Sequence, residues 1–237
     1  MKNWNAKEGP ELSIIKYQIS NQTKMKHLFV FAIALIASLL LHAQSDKYVA
    51  AMKKNISELD SAHDPTRLSE LANTFERIAE AEKSQWLPYY YASYCQVMNS
   101  FMLEDKSKTD GVADKAEQLI KKAEEINGGE NSETCVIKSM IASSHLMVDP
   151  QNRWMQYGQI SSLNITKAKQ LDPTNPRPIY LEGQSKFYTP EQYGGGKPQA
   201  KELFQTALQK FEQFKPSSEL HPTWGKAATN YFLAQCN

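Results

Sequence analysis

The chain of 237 residues is long enough for one large or two small globular domains. Its 41% hydrophobic and 22% charged residues exclude fibrous and fully disordered classes of protein. The 27 basic and 26 acidic side chains give a net charge of only +1. We therefore predict no nucleic-acid partner, because neutralising a phosphate backbone requires a strongly basic surface.

An uncharged, strongly apolar run, LFVFAIALIASLLL, occupies residues 28–41 and follows Lys24 and Lys26. A membrane-spanning helix needs roughly 20 apolar residues, whereas the hydrophobic region of a secretory signal peptide needs about 7–15. We therefore predict a signal peptide over residues 25–43 that is cleaved after Ala43. An uncleaved N-terminal anchor is the alternative.

This signal peptide defines the predicted domain organisation. Residues 1–24 are polar and would be an upstream extension, with Met25 as the start, and residues 44–237 would form one exported domain. The Ala43-Gln44 junction resembles the export signals of Bacteroidetes. The resemblance implies a periplasmic or cell-surface protein whose only membrane contact is the signal segment before cleavage.

Three cysteines, Cys95, Cys135 and Cys236, leave at least one thiol unpaired or intermolecular in an exported chain. Cys95 and Cys135 both lie within apolar helical patterns, where a cysteine usually acts as a small buried hydrophobic residue. A Cys95–Cys135 bridge is the alternative.

Beyond Gln44 the apolar residues recur at spacings of three and four, and Pro and Gly lie between the segments, which predicts helices throughout. Asp64-Pro65 is typical of a helix start and Gly128-Gly129 of a helix end. The predicted helices span residues 46–59, 66–83, 86–103, 112–126, 133–147, 154–170, 176–188, 198–213 and 222–235. The fold class is therefore all-α, with four helical hairpins and a final helix.

The hairpin over residues 176–213 carries a repeat signature. Ala200, Phe204 and Ala207 have the spacing of the second helix of a tetratricopeptide repeat, and Gly183 has the place of the small residue in its first helix. The chain resembles this family over most of residues 46–213, with the strongest signal in about a third of that range. The resemblance implies a right-handed α-solenoid of about four antiparallel hairpins, closed by a C-terminal capping helix.

No motif predicts a metal, a cofactor or catalysis. The glycine-rich run at 194–197 lacks the spacing of a phosphate-binding loop, and no two histidines have the spacing of metal ligands. We therefore predict a protein that is not an enzyme and holds no cofactor. An enzyme of unrecognised type is a remaining alternative, and coupled titratable residues in a buried cleft would favour it.

Aromatic residues crowd two of the predicted first helices, which line the groove in the tetratricopeptide family. Consecutive tyrosines of a helix project about 100° apart and cannot all face the core, although packing between hairpins would explain many of them. The resemblance implies partner-binding roles for Tyr90, Tyr94, Tyr180, Gln184 and Tyr188.

The predicted function is a non-catalytic scaffold of the bacterial cell envelope that binds a protein or peptide. The alternative is a small-molecule or glycan-binding component of an envelope uptake system, in which the aromatic side chains would stack on a ligand. A compact cluster of aromatic side chains would favour the small ligand, and a long open groove would favour the peptide.

Overall fold

The computed structural model describes most of the chain from residue 46 onward, namely residues 46–59, 61–62 and 64–236. The chain divides into two compact units, Met1–Val49 and Ala50–Asn237. In the first unit, residues 46–49 are helical. The predicted extension and signal peptide, residues 1–43, lie outside the described residues.

All regular secondary structure in the described part of the chain is helical, which confirms the predicted all-α class. The α-helices are α1 (46–59), α2 (Pro65–Ala81), α3 (Leu87–Met102), α4 (Thr109–Asn127), α5 (Ser132–Val148), α6 (Pro150–Leu171), α7 (Arg177–Tyr188), α8 (Lys197–Gln213) and α9 (Lys226–Gln235). Two short 3₁₀ helices, Lys106–Lys108 and Glu191–Tyr193, precede α4 and α8.

Local capping explains where several helices begin. The Asp64 carboxylate accepts a hydrogen bond of 2.9 Å from a backbone N–H in the first turn of α2, directly before a proline. Asn131 and Thr134 form a reciprocal capping box at the start of α5. These side chains satisfy N–H groups that have no partner within the helix, and they fix the helix starts close to the predicted positions.

Two helix starts differ from the predictions by four residues. Helix α6 begins at Pro150 instead of residue 154, because Asp149 caps it, so Asp149 alone joins α5 to α6. Helix α9 begins at Lys226 instead of residue 222. The preceding residues, 214–225, contain no helix and form a segment that we call the C-terminal strap.

The helices of the second unit pack in chain order, and α3, α5 and α7 also lie side by side. Helix α4 packs on α3 and α5, and α6 packs on α5 and α7. Each amphipathic helix thereby buries its apolar side against its neighbours. The resulting core includes Phe75, Leu119, Ile120, Ile137 and Phe204, none of which has exposed surface.

The small residues of the α7–α8 hairpin permit close packing. A Cβ atom at Gly183 would lie 2.6 Å from the Phe204 ring, a distance that real Cβ contacts do not reach. Ala200, Phe204 and Ala207 have no exposed surface. The predicted close contact between these two helices is therefore present.

All three cysteines are free thiols, so the bridged alternative is wrong. Cys95 and Cys135 are buried, whereas Cys236 is half-buried. Burial raises the pKa of the Cys95 thiol well above its usual value and that of Cys135 to about 11. The two buried cysteines therefore act as small core residues.

Candidate binding face

A buried ion pair joins the first turns of three helices that lie side by side. The Arg177 side chain of α7 has no exposed surface, the Glu133 side chain of α5 is 4% exposed, and their charged atoms are 2.8 Å apart. Tyr90 of α3 and Asn175 also donate hydrogen bonds to the Glu133 carboxylate. Burial raises the pKa of Glu133, and the Arg177 charge opposes that increase.

The C-terminal strap docks on this cluster. Trp224 donates a hydrogen bond of 2.8 Å to the Tyr90 hydroxyl, and its ring stacks on Tyr94 with centroids 4.8 Å apart. Arg177 donates to the Pro222 carbonyl, and its guanidinium lies 5.4 Å from the centroid of the Trp224 ring. Because Trp224 contacts both α3 and α7, the strap lies against the side of α3 that carries Tyr94 and the side of α7 that carries Arg177.

The later turns of α3 continue this side with apolar residues alone. Met98 follows Tyr94 by four residues, and Phe101 and Met102 follow Met98 by three and four, so the four residues share one side of the helix. Tyr94, Met98 and Phe101 are half-buried, and Met102 is 37% exposed. This partly accessible helix side carries no charged residue and is therefore a candidate binding surface.

Helix α5 adds one exposed residue to this surface, because Ile137 and Met140, which lie between Glu133 and Met147 on the same side of the helix, are buried. Helix α7 adds two residues. Met147 lies close to four turns after Glu133, and it is 44% exposed. Gln184 and Tyr188 lie two and three turns after Arg177, with Tyr188 72% exposed. We call the whole surface the candidate face, and it comprises Tyr94, Met98, Phe101, Met102, Met147, Gln184 and Tyr188.

The five residues predicted from the sequence divide into two groups. Tyr94, Gln184 and Tyr188 lie on the candidate face. Tyr90 has no exposed surface and Tyr180 is only 6% exposed, so their predicted placement in an open groove is wrong. Tyr90 supports the strap instead, and Tyr180 packs beside Phe204 and Phe232.

Sequence reasoning missed most of the apolar side of α3. Met98 and Met102 lie four and eight residues after Tyr94, a spacing that could have placed them beside it. The sequence predicts a helix that includes Trp224, whereas α9 begins only after it. Its pairing with Tyr94, far away in the sequence, carries no local signal.

Two of the surface depressions among the described residues are lined mainly by charged side chains, and neither resembles a ligand site. The larger lies between α2 and α4 and is lined by charged side chains that pair with one another, such as Lys115 with Glu76 at 2.8 Å and Arg67 with Glu70 at 2.8 Å. The smaller, at the end of α4, is lined by Lys121, three glutamates and two glycines. Solvated ionic surfaces of this kind need no ligand.

The candidate face combines aromatic rings, thioethers and one amide, and it suits a flat, largely apolar molecule. The described residues contain no group of three or more His, Cys, Asp or Glu side chains that could hold a bare metal ion. Also within the described residues, no helix is long and apolar enough to cross a membrane.

Comparison with known proteins identifies a relative. No family model and no curated protein matches the chain. Among solved structures, the HusA haemophore from Porphyromonas gingivalis is 36% identical, with a TM-score of 0.72 over 80% of this chain and 92% of that one. This chain belongs to the family of the HusA haemophore.

The relationship supports the coarser predictions made from the sequence. HusA is named as a haemophore, which is a binding protein and not an enzyme. Porphyromonas belongs to the Bacteroidetes, the group whose export signals the Ala43-Gln44 junction resembles. The likeness to HusA is thus consistent with the prediction of a binding component of the bacterial envelope.

Proposed function

We propose that the protein binds haem, or a related porphyrin, on the candidate face. The observation that carries this proposal is the uncharged side of α3 formed by Tyr94, Met98, Phe101 and Met102, in a chain related to a haemophore. This function develops the small-molecule alternative and replaces the protein scaffold as the leading hypothesis.

The side chains present suit such a cargo. A porphyrin is flat and apolar over most of its area, so aromatic and thioether groups would bury it favourably. Methionine sulfur and tyrosine oxygen are both known ligands of haem iron, and Met98, Met102 and Tyr188 supply them on this face. His145 is already engaged, because its Nδ1 lies 2.7 Å from the Asp110 carboxylate.

The proposal is tested by titrating the purified protein with haemin and with metal-free protoporphyrin, followed by Soret absorbance. Met98→Asp places a charge on the candidate face, where a bound porphyrin would cover it. The variant should bind both porphyrins more than about tenfold more weakly, because a charge buried without a partner is costly. Leu163→Asp is the matched control, since Leu163 is an exposed apolar residue of α6, 61% accessible, and outside the candidate face.

Equal loss in both variants, or no haemin binding by the unmodified protein, contradicts the proposal. Circular dichroism establishes that both variants remain helical. If contact with the macrocycle dominates, removal of the iron changes the affinity less than Met98→Asp does.

Peptide binding on the same face is the second candidate. Gln184 favours it, because an amide both donates and accepts hydrogen bonds, as a peptide backbone requires. The titration separates the two functions: a protein that ignores haemin but binds immobilised short peptides through Gln184 and Tyr188 would be a peptide-binding scaffold.

We also infer export and a repeat architecture. The apolar run at 28–41 supports a signal peptide over 25–43, and the small residues of the α7–α8 hairpin support a right-handed, tetratricopeptide-like superhelix closed by α9. N-terminal sequencing of the protein recovered from the host envelope tests the first inference, and a first residue of Gln44 is expected. A first residue within 1–24 contradicts it.

A further inference from the structure

The C-terminal strap crosses the first turns of α3 and α7. The Tyr91 hydroxyl of α3 donates a hydrogen bond of 2.9 Å to the Leu220 carbonyl, and Arg177 of α7 donates to the Pro222 carbonyl. Leu220 and Pro222 are buried by these contacts. The strap therefore occupies one end of the surface that α3, α5 and α7 share.

Trp224 is the last side chain of the strap before the open part of that surface. Its ring stacks on Tyr94 at an interplanar angle of 29°, and Tyr94 is the first residue of the candidate face. Both rings are half-buried, so each keeps some surface toward solvent. Together they stand where the covered end of α3 meets its apolar side.

The strap limits the length of the candidate face. From Tyr94 to Met102 the rise along α3 is about 12 Å at 1.5 Å per residue, half of the roughly 24 Å that the whole helix spans. An extended peptide advances about 3.3 Å per residue, so about four residues running along α3 would fill the open part of that helix. A compact flat ligand could be held by the part of α3 from Tyr94 to Met102.

We propose that Trp224 and Tyr94 form an end wall that sets the size of the ligand which the candidate face accepts. The inference rests on the proposed porphyrin function and adds to it a specificity determinant. The wall admits a ligand of the width of a naturally substituted porphyrin. It excludes wider porphyrins and extended polymers that would have to pass beneath the strap.

The position of the wall is fixed by its surroundings. Trp224 is held by its hydrogen bond to Tyr90 and by the neighbouring Arg177 guanidinium. Gly225 follows it with φ 112°, a left-handed conformation, and a Cβ there would lie 2.7 Å from the Phe211 ring. The backbone after Trp224 therefore turns in a way that glycine alone permits without strain. These contacts indicate a pre-formed wall.

The test compares haemin with a wider porphyrin, meso-tetra(4-sulfonatophenyl)porphyrin, by Soret titration of the full protein. The unmodified protein should prefer haemin. Trp224→Ala should bind the wider porphyrin more tightly than the unmodified protein does, and the preference for haemin should fall by about tenfold or more. Trp154→Ala is the matched control, because Trp154 is an exposed tryptophan of α6, 60% accessible, and should keep the preference.

Circular dichroism establishes that each wall variant remains helical, so that a gain in affinity for the wider ligand is not due to apolar surface exposed by unfolding. Tyr94→Ala removes the other ring of the wall and should give the same gain, which keeps the inference testable if Trp224→Ala does not fold. If the unmodified protein binds haemin and both wall variants keep its preference, the wall is refuted and the porphyrin function stands. If the unmodified protein binds neither porphyrin, the proposed function fails and the wall with it.

Discussion

Removal of the Glu133 carboxylate should strongly destabilise the fold. Glu133→Ala leaves the fully buried Arg177 charge without its partner and takes the acceptor from Tyr90 and Asn175. Breaking a buried ion pair by deleting one partner costs about 3–5 kcal/mol. For a domain of this size each kcal/mol lowers Tm by about 2–4 °C, so we expect a decrease of about 6–20 °C.

Thermal and urea unfolding followed by circular dichroism at neutral pH measures this change. Glu130→Ala is the matched control, since Glu130 lies three residues earlier and pairs with Lys138 and Lys167 while its side chain stays 28% exposed. Exposed pairs contribute about 0–1 kcal/mol. The reasoning is refuted if Glu133→Ala costs no more than Glu130→Ala. The double variant Glu133→Leu/Arg177→Met should be more stable than Glu133→Ala, because it leaves no unpaired buried charge.

Three further outcomes are expected. Gly183→Ala forces a Cβ to 2.6 Å from a buried ring and should cost about 1–3 kcal/mol in urea unfolding, whereas Gly111→Ala, with nothing within 4 Å, should stabilise α4 by about 0.4–1 kcal/mol. The hydrogen bond from Arg153 lowers the pKa of Asp110. The ionised carboxylate therefore stabilises the fold above its unfolded pKa, and this stabilisation disappears as pH falls through the folded pKa. Asp110→Asn should then lose less stability than the parent between about pH 5 and 2, and an equal loss would contradict this. Cys236 should be the one thiol of the folded protein that reacts rapidly with Ellman's reagent, and a fast second thiol would show that a buried cysteine is accessible.

The helices could be predicted from the sequence because their signals are local. Asp64 before a proline, and Gly128 in a left-handed conformation after α4, act within one turn of the boundary that they set. The same rule applied to Asp149-Pro150 would have placed the start of α6 correctly. The apolar spacing around Trp224 predicts a helix there, although Gly225 separates Trp224 from α9.

The candidate face could be predicted only in part, because burial depends on which neighbour covers each side of a helix. Tyr90 and Tyr94 are one turn apart on the same side of α3, and the sequence alone gives no reason to separate them. The strap buries Tyr90 and leaves Tyr94 half-exposed. The α3 and strap residues that make this contact are more than a hundred positions apart, and no periodic pattern reports such a pairing.

The buried ion pair and the candidate face are linked through Trp224, so a mutation of the ion pair should affect both stability and binding. Arg177 contacts both Glu133 and the Trp224 ring, so Glu133→Ala should loosen the end wall as well as the core. Met98 is half-buried and has no part in the ion pair. Stability and the preference for haemin over the wider porphyrin should therefore fall together in Glu133→Ala, whereas Met98→Asp should lower haemin affinity with a smaller loss of stability. If Glu133→Ala keeps the ligand preference of the parent while its Tm falls, the ion pair stabilises the helices without positioning Trp224.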